Sequence, residues 1–150
     1  MASKAPRKKK VKPGALRSAA QFGQTEEVKA LLAAGADPNE IDYVLGTPNS
    51  TALCMACFHR KVPIVRILLA AGADPNLAVT SPPLVYAMTS GSKRTAEMVR
   101  MLLDAGAEPN PIAYRGQRII EYCRHKPDLA EAIELLETAQ AKKSAKRKRS

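Results

Sequence analysis

The sequence predicts an all-α fold, a solenoid of four helix-turn-helix repeats with short hairpin loops. Three observations carry that reading. The string AAGADPN at 33–39 returns at 70–76, and a close variant, DAGAEPN, stands at 104–110. Their glycines, Gly35, Gly72 and Gly106, are 37 and 34 residues apart, a period that marks stacked repeats. An apolar triplet precedes each glycine: Val28, Leu31 and Leu32, then Val65, Leu68 and Leu69, then Val99, Leu102 and Leu103. Spacing of i, i+3 and i+4 places each triplet on one helix face.

Residues 1–14 are expected to be a disordered basic tail, because they are charged and nearly devoid of large apolar side chains. The first helix pair spans about 15–35, with Leu16, Ala19 and Ala20 on its first helix. Thr25 is the expected cap of the second helix, and Glu26 and Glu27 complement the helix dipole. Gly35 stops that helix because glycine accepts the left-handed conformation at low cost, and Pro38 cannot continue it. The connection from Asp37 to Leu53 is 16 residues against 12 from Glu108 to Ile120, so the loop from Glu40 to Ser50 is longer by about four. The second pair, about 51–72, carries Leu53, Ala56 and Cys57, with Pro63 in the first turn of its second helix, where a missing N–H does no harm. The third, about 82–106, carries Leu84, Ala87 and Met88 and holds extra residues in a turn around Gly91-Ser92-Lys93-Arg94. The fourth, about 118–138, runs from Ile120 to Leu136 with Pro127 in a first turn and no closing glycine. A domain of 15–138 is thus flanked by a second disordered basic tail, 139–150.

Helix, turn, helix, glycine stop and an Asp-Pro-Asn segment resemble the ankyrin repeat. The family pattern runs roughly G-x-T-P-L-H-L-A-A, then E-I-V-x-L-L-L, then G-A-D-x-N, and the likeness covers about 15–138. Two positions depart from it: Thr-Pro-Leu-His reads Thr51-Ala52-Leu53-Cys54 in the second unit and Pro82-Pro83-Leu84-Val85 in the third. The motif histidine, which braces a turn in the family, is missing, and lower stability is expected from that. The resemblance implies a protein-binding module whose hairpin loops and first helices form a concave recognition face.

The formal net charge of +10 is concentrated at the ends. Lys4, Arg7, Lys8, Lys9, Lys10 and Lys12 lie in the first tail, and Lys142, Lys143, Lys146, Arg147, Lys148 and Arg149 in the second. Removing those 12 from the 24 basic residues leaves 12 against 14 acids, a folded middle of −2. Polyanion binding is accordingly expected of the tails and not of the fold. Arg7, Lys8, Lys9, Lys10 and Lys12, and separately Lys146, Arg147, Lys148 and Arg149, resemble nuclear-import signals, which an importin-type receptor reads as extended basic strands. In a eukaryotic cell they imply the nucleus, otherwise the cytoplasm. The alternative use of the same tails is nonspecific nucleic-acid or chromatin binding through phosphates. No apolar run is long enough to span a membrane, and no apolar stretch follows the basic N-terminus as a secretory signal requires.

Chemistry has little to work with. Cys54 and Cys57 with His59, or Cys123 with His125, have zinc-like spacing, but Cys57 and Cys123 occupy small core positions, and the repeat register keeps the two groups apart. Three cysteines are too few for a disulfide framework, so a reducing compartment is expected. No phosphate loop, nucleophile elbow or metalloprotease motif is present. The reading is therefore a non-enzymatic adaptor or inhibitor that requires no cofactor or metal. Its partner, a protein, is expected on the elaborated loop at Ile41, Tyr43, Val44 and Leu45, and on Tyr114 and Arg115 of the matching loop after the third repeat. Apolar side chains crowded in a loop mark binding sites, and tyrosine is favoured at hot spots.

Overall fold

The computed structural model describes residues 11–44, 47–89 and 91–149. Four helix pairs follow one another: α1 (Ala15–Phe22) with α2 (Thr25–Ala33), α3 (Ala52–Phe58) with α4 (Val62–Ala70), α5 (Pro83–Thr89) with α6 (Thr95–Asp104), and α7 (Ile119–Cys123) with α8 (Ala130–Lys148). Pro127–Leu129 form one 3₁₀ turn ahead of α8. The inner row is α1, α3, α5 and α7, each touching the next, and α2, α4, α6 and α8 form the outer row. The seam between the rows is the core. It contains Leu16, Val28, Leu53, Val65, Leu68, Leu84, Met98, Leu102, Ile119 and Leu136, all at most 1% exposed. Among the described residues no helix is long and apolar enough to cross a membrane.

The helix stops form as the glycines require. Gly35, Gly72 and Gly106 have φ of 93°, 90° and 94°, the left-handed region. The amide of the following alanine then reaches back over the last turn, as in Ala73 N–H to Leu68 O at 3.0 Å. Thr51 caps α3 by accepting from Cys54 N–H at 3.2 Å. Thr25 does not cap. It is the first helical residue of α2, preceded by Gln24, whose side chain makes no cap bond.

Consecutive repeats are stitched by side chains. The Asn39 amide donates to Gly72 O at 3.1 Å and accepts from Asp74 N–H at 2.7 Å. Asn76 repeats the pattern one unit on, to Gly106 O at 2.9 Å and from Glu108 N–H at 2.7 Å. Asn110, last in the series, accepts from Ile120 N–H at the start of α7 at 3.3 Å.

Two further features differ from the sequence expectation. The long loop is a finger of two antiparallel strands, β1 (Asp42–Val44) and β2 (Thr47–Ser50), pairing Asp42 with Ser50 and Tyr43 with Pro48. The C-terminal tail is not disordered: α8 continues through Lys148. The reason is compositional. Residues 139–148 are alanine, glutamine, lysine, arginine and one serine, mostly strong helix formers without glycine or proline. Lys146, Arg147 and Lys148 also fall in the last turn, where the helix dipole favours cations. Lys143 pairs with Glu108 and ties the extension to the third repeat.

Candidate docking face

The first finger is held against α1. Gly14 N–H donates to Glu40 Oε1 at 3.4 Å, and Arg17 Nη1 meets Asp42 Oδ2 at 3.4 Å. Arg17 Nη2 donates to Met55 Sδ at 3.8 Å, so one side chain joins the finger to α1 and α3. A Cβ at Gly14 would lie 2.6 Å from Asp42 Oδ1, and its φ is 72°, so only glycine fits beneath that carboxylate. The anchored finger presents Tyr43, 62% exposed. Ile41 is half-buried, and the backbone of Val44 lies in β1. Leu45 lies outside the described residues.

The last finger is tighter. Ile112 pairs with Arg118, and Gln117 N–H donates to Tyr114 O at 3.0 Å. The two residues between, Arg115 and Gly116, have φ of 51° and 78°, both positive, as a type I′ turn requires. Tyr114 stands 59% exposed beside that turn, with the Arg115 guanidinium 5.4 Å from its ring centre. Its ring approaches Tyr122 of α7 at 6.3 Å, and Lys126 lies 5.2 Å from the Tyr122 ring. Tyr114 and Arg115 are thus brought together, and Tyr43 stands on a separate finger.

Two exposed aromatics at the opposite ends of the inner helices were not expected. Phe22, 67% exposed, is the last residue of α1, and Phe58, 47% exposed, the last of α3. Phe58 packs edge-on to His59 and to Tyr86 of α5, at 5.0 and 6.0 Å. Burial raises the Tyr86 hydroxyl above its ordinary value, with Cys54 adding to the effect. The signal was in the phase: both phenylalanines fall after the buried positions of their helices, where a core residue has no partner. Ile112, 57% exposed in its bridge to Arg118 on the last finger, was not expected either.

The cysteines lie inside the repeats. Cys54, Cys57 and Cys123 are free and at most 1% exposed. Burial pushes all three thiols up, Cys57 furthest, while hydrogen bonding to Thr51 restrains Cys54 and the Lys126 charge restrains Cys123. Raised, buried thiols are poor nucleophiles and poor ligands. Among the described residues no three His, Cys, Asp or Glu side chains group closely enough to hold a metal ion.

Of the basic residues read as import signals, Arg7, Lys8, Lys9 and Lys10 lie outside the described residues. Lys12 is exposed just ahead of α1, and its carbonyl accepts from Ala15 N–H at 3.1 Å. Lys146, Arg147, Lys148 and Arg149 are exposed at the end of α8, so the second candidate signal is helical rather than extended.

Stacked helix pairs with projecting fingers and exposed rings define a scaffold for macromolecular contacts. The family model for ankyrin repeats, in three copies, matches residues 13–113, and the chain belongs to the ankyrin-repeat family. Ankyrin repeats are in general modules of protein–protein interaction. Comparison with curated proteins finds no match.

Proposed function

We propose that the protein is a non-enzymatic adaptor or inhibitor that grips a protein partner with its fingers and acts in the nucleus of a eukaryotic cell. The observation that carries this reading is Tyr43, an exposed ring on a finger anchored by Arg17 and Asp42. An aromatic on a rigid support loses little conformational freedom on binding, which is what a hot spot needs. Tyr114, with Arg115, extends the same use at the other end of the stack. Replacing Tyr43 with alanine in the full chain is expected to weaken a captured partner by about 2 kcal/mol or more while leaving stability within about 0.5 kcal/mol. Equal losses of binding and stability would make Tyr43 a structural residue, and unchanged binding would move the partner elsewhere.

The basic ends support nuclear entry through an importin-type receptor. Each end fused to a reporter too large to diffuse through nuclear pores is expected to drive nuclear accumulation, and a reporter left in the cytoplasm by both would refute it. The six cations between Lys142 and Arg149 favour a second reading, in which the α8 end holds nucleic-acid phosphates without sequence preference. Salt separates the two: phosphate binding weakens steeply with ionic strength, and a finger-held protein complex does not.

A further inference from the structure

We propose that the row of turns linking inner to outer helices is a second docking surface, and that it binds an acidic segment of a polypeptide carrying apolar side chains. This surface lies at the C-terminal ends of the inner helices, opposite the fingers. Half of the 12 basic residues between the tails fall in these turns: Arg60 and Lys61, Lys93 and Arg94, Arg124 and Lys126. The net charge of −2 for the folded middle conceals this, because a sum along the chain does not register segregation in space.

The turns form a continuous edge. A Cβ at Gly23 in the first would meet the Lys61 side chain of the second at 3.0 Å. A Cβ at Gly91 in the third would meet Asp128, just after the fourth, at 2.8 Å. The starts of α2, α4 and α6 share one groove, lined by Thr25, Lys29, Pro63, Arg66, Arg94 and one acid, Glu97. The neighbouring outer-helix carboxylates are engaged across repeats, Glu97 with Arg66 and Glu131 with Arg100, so they do not neutralise the turns. Asp128 follows the fourth turn, and Glu26, paired with Lys29, and Glu27 stand in the first turn of α2, so the cations outnumber the acids along this edge. Phe22 and Phe58 supply apolar contacts on the same edge.

The backbone adds an independent observation. The position seven residues after Leu16, Leu53 and Leu84 needs positive φ: Gly23 has 78°, Arg60 has 56° and Gly91 has 31°. Two repeats use glycine there, and the second places an arginine in a strained conformation. Strain retained where glycine would relieve it marks a side chain that is used, within the fold or toward a partner, and the affinity of the glycine variant separates the two. A peptide fits better than nucleic acid. The basic strip is short and borders the first-turn acids of α2 and α6, Glu26, Glu27 and Glu97, which a long polyanion would also meet.

The test uses the full chain and a short fluorescein-labelled peptide alternating glutamate pairs with phenylalanine. Arg60→Gly should raise the melting temperature and weaken the peptide severalfold, a combination that a purely structural arginine cannot give. Lys93→Gln with Arg94→Gln should weaken it about tenfold. Neutralising Lys142, Lys146, Arg147 and Lys148 to glutamine should change it far less. Peptide affinity unchanged by both turn variants overturns the proposal. So does an oligothymidylate that binds more tightly than the peptide and loses its grip in the same variants.

Discussion

Arg60 carries a conformational cost that its counterparts avoid. A side chain in the left-handed region destabilises by about 1–2 kcal/mol relative to glycine, partly offset by the freedom glycine has when unfolded. Arg60→Gly is therefore expected to stabilise the fold by about 1 kcal/mol in a denaturant titration. The stitching asparagines are the opposite case, since each satisfies a carbonyl and an amide of the next repeat. Asn76→Ala removes both bonds at the surface, where water takes their place, and stability should fall by about 1 kcal/mol, read as a lower denaturation midpoint at unchanged slope. Cys57 sets a pH dependence. Its folded pKa is raised, so its contribution is intact below the unfolded thiol's ordinary 9.0 and is lost as pH rises above it. Stability should therefore decline above that pH, and Cys57→Ala, in a background already corrected for its cavity, should flatten the decline. That Cys57 is a core residue was legible from its place in the alanine pattern. The strain at Arg60 was not, because sequence periodicity reports burial and is silent about φ.

The helices were legible because each is an apolar stripe closed by glycine, and both signals are local. The finger at 42–50 was legible as a longer connection and not as strands. Its pairing depends on Arg17 reaching Asp42 and on Gly14 making room, contacts between residues far apart in sequence. The turn at Arg115-Gly116 was hidden because arginine replaces the asparagine or aspartate that usually announces it. The C-terminal segment misled for a different reason. Charge density suggests disorder, yet lysine, arginine and alanine are good helix formers once a folded helix supplies the nucleus. From Ala141 to Arg149 the side chains are exposed, and the tie back to the body is a surface ion pair. Truncation after Gln140 should thus alter stability by less than about 1 kcal/mol while reducing the helical circular dichroism signal. A large fall in melting temperature would mean that the extension props the third repeat.

At the scale of the whole molecule, the architecture followed from a period and three glycines, and the distribution of charge did not. Stacking brings residues some 30 positions apart into one row, as Lys61, Arg94 and Lys126 show. Only after stacking does a balanced middle separate into a basic edge and paired outer helices. Two candidate surfaces then stand at opposite ends of the inner helices, fingers at one and turns at the other. The stitching asparagines also say how such a molecule lengthens. Asn39 and Asn76 address backbone atoms, and a backbone carbonyl and amide are the same whatever repeat comes next. A duplicated unit inserted between the second and third would find its stitch waiting on both sides. After the third the chain turns its last asparagine to the amide of Ile120, and the fourth unit has no Gly-Ala-Asp-Pro-Asn segment to offer a successor. Growth by duplication is open in the middle of this array and closed at its C-terminal end.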